Sequence, residues 1–287
     1  MKILLLGSNG QLGWELQRTC PDYVTLDACD YPQIDLCSTG GILERIRACR
    51  PDSLINVAAY TAVDKAEEDR DTADRLNHTA VAEIAGYCRQ DNIRMVHIST
   101  DFVFNGQNHK PYLPDDPPDP ISVYGRTKLG GEQSVQKILR NQSLIIRTAW
   151  LYSSHGDNFV KTMLRLMKEK QSLNIIDEQI GTPTWANGLA RAIWTALEKK
   201  ISGLFHWTDA GVASWYDFAM AIQEEGMTAG LLNQAIPVFP IPGHLYPTPA
   251  KRPFYSVLDK TSFLHALDLK PIHWRVHLRS MLKEIHP

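Results

Sequence analysis

The sequence predicts an α/β protein: a doubly wound parallel sheet with a smaller carboxy-terminal lobe. Three observations carry this. Short apolar runs alternate with longer helical patterns through the first half, the signature of a parallel sheet covered on both faces. The runs are nearly continuous rather than alternating, as strands buried on both sides require. In the second half the alternation lapses and proline density rises at Pro237, Pro240, Pro242, Pro247, Pro249 and Pro253.

In chain order, "KILLLG" reads as the first strand and Gln11 to Cys20 as a helix. "YVTLD" is a second strand ending at Asp27, and Gly41 to Cys49 is helical. "SLINVAA" is a third strand, followed by one long helix from Asp71 to Arg89. "RMVHIST" is a fourth, Tyr124 to Leu139 a helix, and "SLIIRTAW" a fifth strand. Then come a helix over Asn158 to Lys170, a strand "SLNII", and a helix from Thr184 to Lys200 with Thr184 as its N-cap. "GLFHW" is one more sheet strand, and Ser214 caps a helix running to Glu225. The Pro-rich stretch reads as loop and edge strand, and His273 to Glu284 as a last helix. Residues 1–150 plus about 182–210 form the sheet domain on this reading, with about 151–181 plus 211–287 as the second lobe.

Composition narrows the class. With 44% apolar and 22% charged residues, the chain has an ordinary soluble make-up and ample material for a core. A net charge of −2 with no basic stripe leaves no footprint for nucleic acid. No apolar run approaches a membrane span, and the run Ile3 to Leu6 is too short for a signal peptide. Cys20, Cys29, Cys37, Cys49 and Cys88 form no CxxC pair and have no nearby His at ligand spacing. Free thiols in a reducing, cytoplasmic compartment are expected.

The chemistry concentrates in three places. "LLLGSNGQLGWEL" sets Gly7, Gly10 and Gly13 after the first strand and at the opening of a helix. Backbone N–H groups and the helix end there can approach a pyrophosphate, which makes the sheet Rossmann-like. Asp27, Asp30 and Asp35 compete for the adenosine ribose, and no Arg sits by the strand end to claim a 2′-phosphate. "HISTDFVF" ends the fourth strand with Ser99 and Thr100, at the edge where ligands lie in open α/β sheets. "SVYGRTKLGGE" then places Tyr124 and Lys128 four apart on one helix face. A nearby ammonium favours the phenolate, so Lys128 is expected to lower the Tyr124 pKa. Tyr124 becomes the proton donor for a ketone reduction by hydride addition, and Thr100 a second hydrogen-bonding group. Gly130 and Gly131 weaken that helix and are expected to let it pack closely on a neighbour.

These stretches resemble the extended short-chain dehydrogenase/reductases, and within them the dTDP-4-dehydrorhamnose reductase family. The matching segments span nearly the whole chain and include "GSNGQLGWELQ", "NVAAYTAVDKAEED", "STDFVFNG", "VYGRTKLGGE", "DEQIGTPT", "SWYDFA" and "YPTPAKRPFYSVLD". The resemblance implies Thr100, Tyr124 and Lys128 as catalytic residues. It implies Gly7, Gly10, Gln11 and Leu12 at the pyrophosphate, Asp35 and Leu36 near the adenine, and Ala58, Ala59 and Tyr60 beside the nicotinamide half. Thr61, Val63 and Trp150 fall where the family meets sugar and nucleotide, and Arg252 is a candidate diphosphate clamp. The implied cofactor is NADPH or NADH and the implied substrate dTDP-4-dehydro-L-rhamnose. Some members bind magnesium at a dimer interface. Glu15 matches one of its carboxylates, but Asn187 replaces a second, so no metal is expected, and a homodimer stays open. A dehydratase of the superfamily needs an Asp–Glu pair after the strand-end Thr, and here Phe102 follows Asp101. A non-catalytic regulator of the same fold has less need of the three catalytic positions, all kept here.

Overall fold

The computed structural model describes residues 1–285. Its centre is a sheet whose first five strands are β1 (Lys2–Leu6), β2 (Thr25–Cys29), β3 (Ser53–Asn56), β4 (Arg94–Thr100) and β5 (Ser143–Thr148). The chain then passes through four short strands, β6 (Leu151–Tyr152), β7 (Leu173–Ile176), β8 (Ile180–Gly181) and β9 (Thr184–Trp185). It returns to the sheet as β10 (Gly203–His206) and later forms β11 (Ala213–Ser214) and β12 (Val238–Ile241). The sheet order is β10-β5-β4-β3-β1-β2, with every pair parallel. Strand order reverses between β1 and β3, where the crevice of a doubly wound sheet opens.

The helices are α1 (Gln11–Arg18), α2 (Thr39–Cys49), α3 (Arg70–Asp74), α4 (Ala80–Gln90), α5 (Val123–Leu139), α6 (Phe159–Glu169), α7 (Ala186–Glu198), α8 (Trp215–Thr228), α9 (Thr261–Leu267) and α10 (Trp274–Leu282). One sheet face buries Ile3 and Leu5 under Leu16 of α1, Ile193 of α7 and Phe263 of α9. The other buries Leu4 and Leu6 under Ile42 of α2, Ile84 of α4 and Val135 of α5. A separate core joins α6, α8 and α10 through Met163, Phe218, Ile222, Leu278 and Met281. Alternate residues of β1 thus serve opposite faces, as the strand period requires.

Several elements depart from the sequence reading. β2 runs on to Cys29, so Asp27 lies inside the strand. The long helix before β4 is interrupted: α3 and α4 are joined by a π turn, Arg75–Thr79. Thr184 does not cap α7. It belongs to β9, its hydroxyl donates to the Thr182 carbonyl, and Trp185 takes the N-cap position without a side-chain bond. Helix α9 has no counterpart among the expected elements; its seven residues are too few to establish a period. Ser214 does cap α8, through a capping box with Asp217.

The glycine pair in α5 has a packing cause. A Cβ on Gly131 would stand 2.2 Å from the Asn77 carbonyl oxygen, and one on Gly130 2.9 Å from the His78 ring. Both contacts are with the π turn. The same turn buries the Asn77 side chain, which donates to Thr127 of α5 at 3.2 Å. Among the described residues no helix is long and apolar enough to cross a membrane, and all five cysteines are free.

Candidate active site

The carboxyl ends of β1, β3, β4 and β5 border one cavity of about 890 Å³, large for a small-molecule site. Its glycines divide into two kinds. Gly7 has φ +88°, and a Cβ there would lie 2.5 Å from the Ala58 nitrogen. A Cβ on Gly13 would lie 2.1 Å from the Gly7 oxygen. Packing alone demands these two. A Cβ on Gly10 would meet only the Gly7 oxygen, at an ordinary 3.6 Å. Gly10 is the N-cap of α1, and no side chain caps that helix. Gly10, Gln11 and Leu12 line the cavity, so the first-turn N–H groups of α1 face it with the positive end of the helix. This arrangement fits a dinucleotide pyrophosphate.

Beyond the turn, Asp30, Asp35 and Leu36 line the far end of the cavity. Asp27 does not: it pairs with Arg45. Both Asp30 oxygens are engaged, accepting the backbone N–H groups of Asn9 and Tyr31 at 2.8 Å each. Asp35 accepts the Cys37 N–H at 2.8 Å.

After β3, Ala58, Ala59, Thr61 and Val63 line the cavity, but Tyr60 does not. Its phenol donates to Asp69 at 3.1 Å, and its backbone N–H and carbonyl are both held by the Asn77 side chain, at 2.8 and 3.1 Å. Arg252 is also outside the lining residues. Its guanidinium forks onto Asp64 at 3.0 and 2.6 Å and donates to Thr248 at 2.6 Å. The pair holds the Asp64 carboxyl below its usual range and ties the Pro-rich loop to the segment bearing Thr61 and Val63. Trp150 lines the cavity with φ +48°, a conformation a bulky residue rarely adopts. It stacks on Trp215 with centroids 3.6 Å apart, so it is both a cavity wall and an extension of the second core.

The remaining wall brings together Ser99 and Thr100 of β4 with Tyr124 and Lys128 of α5. Ser122 caps α5 through the Gly125 N–H, at 3.1 Å, which sets Tyr124 in the first turn. The Phe102 ring meets Tyr124 edge-on, centroids 5.5 Å apart. Thr100 accepts the Phe102 N–H at 3.2 Å and donates to Asp101 at 3.1 Å. The electrostatics run opposite to the sequence expectation. Desolvation pushes the Tyr124 phenol up to about 12, a hydrogen bond with Thr100 acting the other way. Desolvation also lowers Lys128 to about 8, and its Nζ donates to the Ile98 carbonyl at 2.6 Å. Burial therefore sets the direction, and the Lys128 charge expected from spacing does not contribute to the phenol's shift. A phenol this weakly acidic keeps its proton at neutral pH.

Glu15, completely buried, accepts from Arg18, Ser153 and Asn187, so both its oxygens are occupied. Among the described residues no group of three or more His, Cys, Asp or Glu side chains is placed to hold a metal ion. Sequence reasoning missed, among others, Asp101 and the Gly156 and Asp157 part of the wall, and Asn77, which fixes the Tyr60 backbone. Only Asp101, adjacent to Thr100, carried a visible signal.

The sheet order, the glycine turn and the Tyr–Lys face at one cavity define a Rossmann-fold oxidoreductase of the short-chain dehydrogenase type. The model of the RmlD substrate binding domain matches residues 1–286, and the chain belongs to that family. It is 41% identical over 294 residues to the dTDP-4-dehydrorhamnose reductase of Escherichia coli strain K12, covering 99% of this chain and 98% of the relative. The solved dTDP-4-dehydrorhamnose reductase of Clostridium acetobutylicum is similar at TM-score 0.93 and 36% identity, over 99% of each chain. That of Bacillus anthracis, in complex with NADP, is similar at TM-score 0.92 and 32% identity, also over 99% of each.

Proposed function

We propose that this protein reduces the C4 ketone of dTDP-4-dehydro-β-L-rhamnose to give dTDP-L-rhamnose, using NADPH or NADH. The observation that carries the reading is that Thr100, Tyr124 and Lys128 border the same cavity as the α1 amino terminus. The bound nicotinamide supplies the hydride. Tyr124, protonated at neutral pH, gives its proton to the C4 oxygen as the carbonyl electrons move onto it. Thr100 hydrogen-bonds that oxygen. Lys128 offers an ammonium on the same helix face for the nicotinamide ribose. Gly10, Gln11 and Leu12 hold the pyrophosphate, Asp35 and Leu36 the adenosine end, and Ala58 and Ala59 the nicotinamide half. Thr61, Val63 and Trp150 contact the nucleotide sugar.

The separate core of α6, α8 and α10 supports a second lobe that carries the sugar nucleotide, while β10 and α7 belong with the dinucleotide domain. Tyr60 and Arg252 take supporting roles: Arg252 holds the Pro-rich loop, and Tyr60 is a fixed point of the strap after β3. The deciding assay follows nicotinamide oxidation with dTDP-4-dehydro-L-rhamnose, in parallel with NADPH and NADH. Turnover with either cofactor is expected. Cofactor binding without turnover would assign the chain to a non-catalytic regulator. Turnover only with another nucleotide sugar would move the substrate.

A further inference from the structure

Asp101 is 2% exposed, borders the cavity, and opens the 3₁₀ turn that Thr100 caps. Its Oδ1 accepts the Thr100 hydroxyl at 3.1 Å. Its Oδ2 is buried and makes no hydrogen bond, although the Ser256 hydroxyl, buried on the loop before α9, is near enough to favour the charged form. A carboxylate in this position constrains Thr100. A hydroxyl has one proton to give and two lone pairs to receive with. One lone pair takes the Phe102 N–H, at 3.2 Å, and the other is open to a second donor. While Asp101 is ionised, the single Thr100 proton points at Asp101 and is not available to a substrate oxygen.

We propose that Asp101 is a positioning residue for the reduction, acting through Thr100: when its carboxyl carries a proton, it donates to Thr100 and turns the Thr100 hydroxyl towards the substrate ketone. The second lone pair is then filled by Asp101, so the ketone oxygen becomes the acceptor of the Thr100 proton. No bond to carbon changes; the proton on Asp101 only reverses the direction of the chain. Burial pushes the Asp101 carboxyl up to about 6, against the hydroxyls of Ser256 and Thr100 and local backbone N–H groups. The titratable group facing it is Tyr124 of α5, whose phenol its charge raises; β4 supplies Thr100 and the loop before α9 supplies Ser256, both neutral.

The inference rests on the reductase reading, and its test separates the two. In the full-length protein with saturating cofactor, kcat/KM for dTDP-4-dehydro-L-rhamnose is measured between about pH 5 and 8. Wild type is expected to lose activity through an ionisation near 6, approaching about tenfold per pH unit. Asp101→Asn keeps a donor to Thr100 and cannot ionise, so that limb should vanish. Thr100→Val removes the group that reports Asp101, so its slower reaction should lack the limb too. In that background Asp101→Asn should change nothing further. A limb retained in Asp101→Asn, a limb absent from wild type, or additive effects in the double variant would overturn the proposal. If Asp101→Asn does not fold, a limb retained in Thr100→Val overturns it and a limb lost supports it. Absence of wild-type turnover would instead overturn the reductase reading.

Discussion

The two ends of the cavity are built from different materials. The end at the α1 terminus is backbone: a glycine turn, free N–H groups, and two glycines that packing forbids to be anything else. The end at α5 is side chain: a phenol near 12, an amine near 8 and a carboxyl near 6, each displaced by burial. Shape and the helix dipole do not titrate, whereas the α5 end depends on which proton sits where. Binding of the pyrophosphate should therefore be far less sensitive to pH than turnover. Substitutions at the α1 end should cost affinity and those at the α5 end rate, with Lys128, which is proposed to meet the nicotinamide ribose, costing both.

The strongest way to break this division is Tyr124→Phe. The ring and its edge contact with Phe102 remain, and only the proton donor is removed. Turnover should fall roughly 10²–10⁴-fold, with cofactor affinity by fluorescence titration little changed. Turnover within about twofold of wild type would take the proton chemistry away from α5.

At the backbone end, Gly10→Val and Gly13→Val sharpen the contrast. The open space at Gly10 accepts a side chain in the folded protein, but that side chain occupies the pyrophosphate path. Affinity for cofactor should drop by about 100-fold or more while the melting temperature holds within a few degrees. At Gly13 a Cβ would stand 2.1 Å from a backbone oxygen, so the loss should be of the fold itself. Normal cofactor titration by Gly10→Val would make the whole glycine turn a packing device.

The same division explains what the sequence disclosed. The sheet was legible because β1, β3, β4 and β5 are buried along nearly their whole length and their apolar runs are continuous. The glycine turn and the Thr100, Tyr124 and Lys128 set were legible because short local spacings place them. What escaped depends on distant partners. Arg252 looked free because its Asp64 lies 188 residues away. Tyr60 turned aside because Asn77, in the π turn packed against α5, captures its backbone. The direction of the Tyr124 shift was missed because spacing reports the neighbouring charge and says nothing of the depth of burial.

That depth yields the smallest effect and the most discriminating one. Lys128 is 3% exposed, and its ammonium is lowered to about 8, against roughly 10.4 in an unfolded chain. Below pH 8 both states hold the proton, and the folded state carries the cost of a buried charge. Between about 8 and 10.4 the unfolded chain binds more protons than the folded one, so stability rises with pH in this window. Lys128→Met removes the charge and keeps an apolar stem, at the loss of one bond to the Ile98 carbonyl. The variant should therefore be more stable than wild type at pH 7, by about 1–3 kcal/mol, and the gap should close towards pH 10 as wild type gains stability. Its turnover should fall and its cofactor affinity weaken. Urea unfolding of both proteins at the two pH values measures this. A variant destabilised at pH 7 would mean that the Ile98 bond outweighs the buried charge, and that the α5 end, like the α1 end, is held by packing rather than by displaced protons.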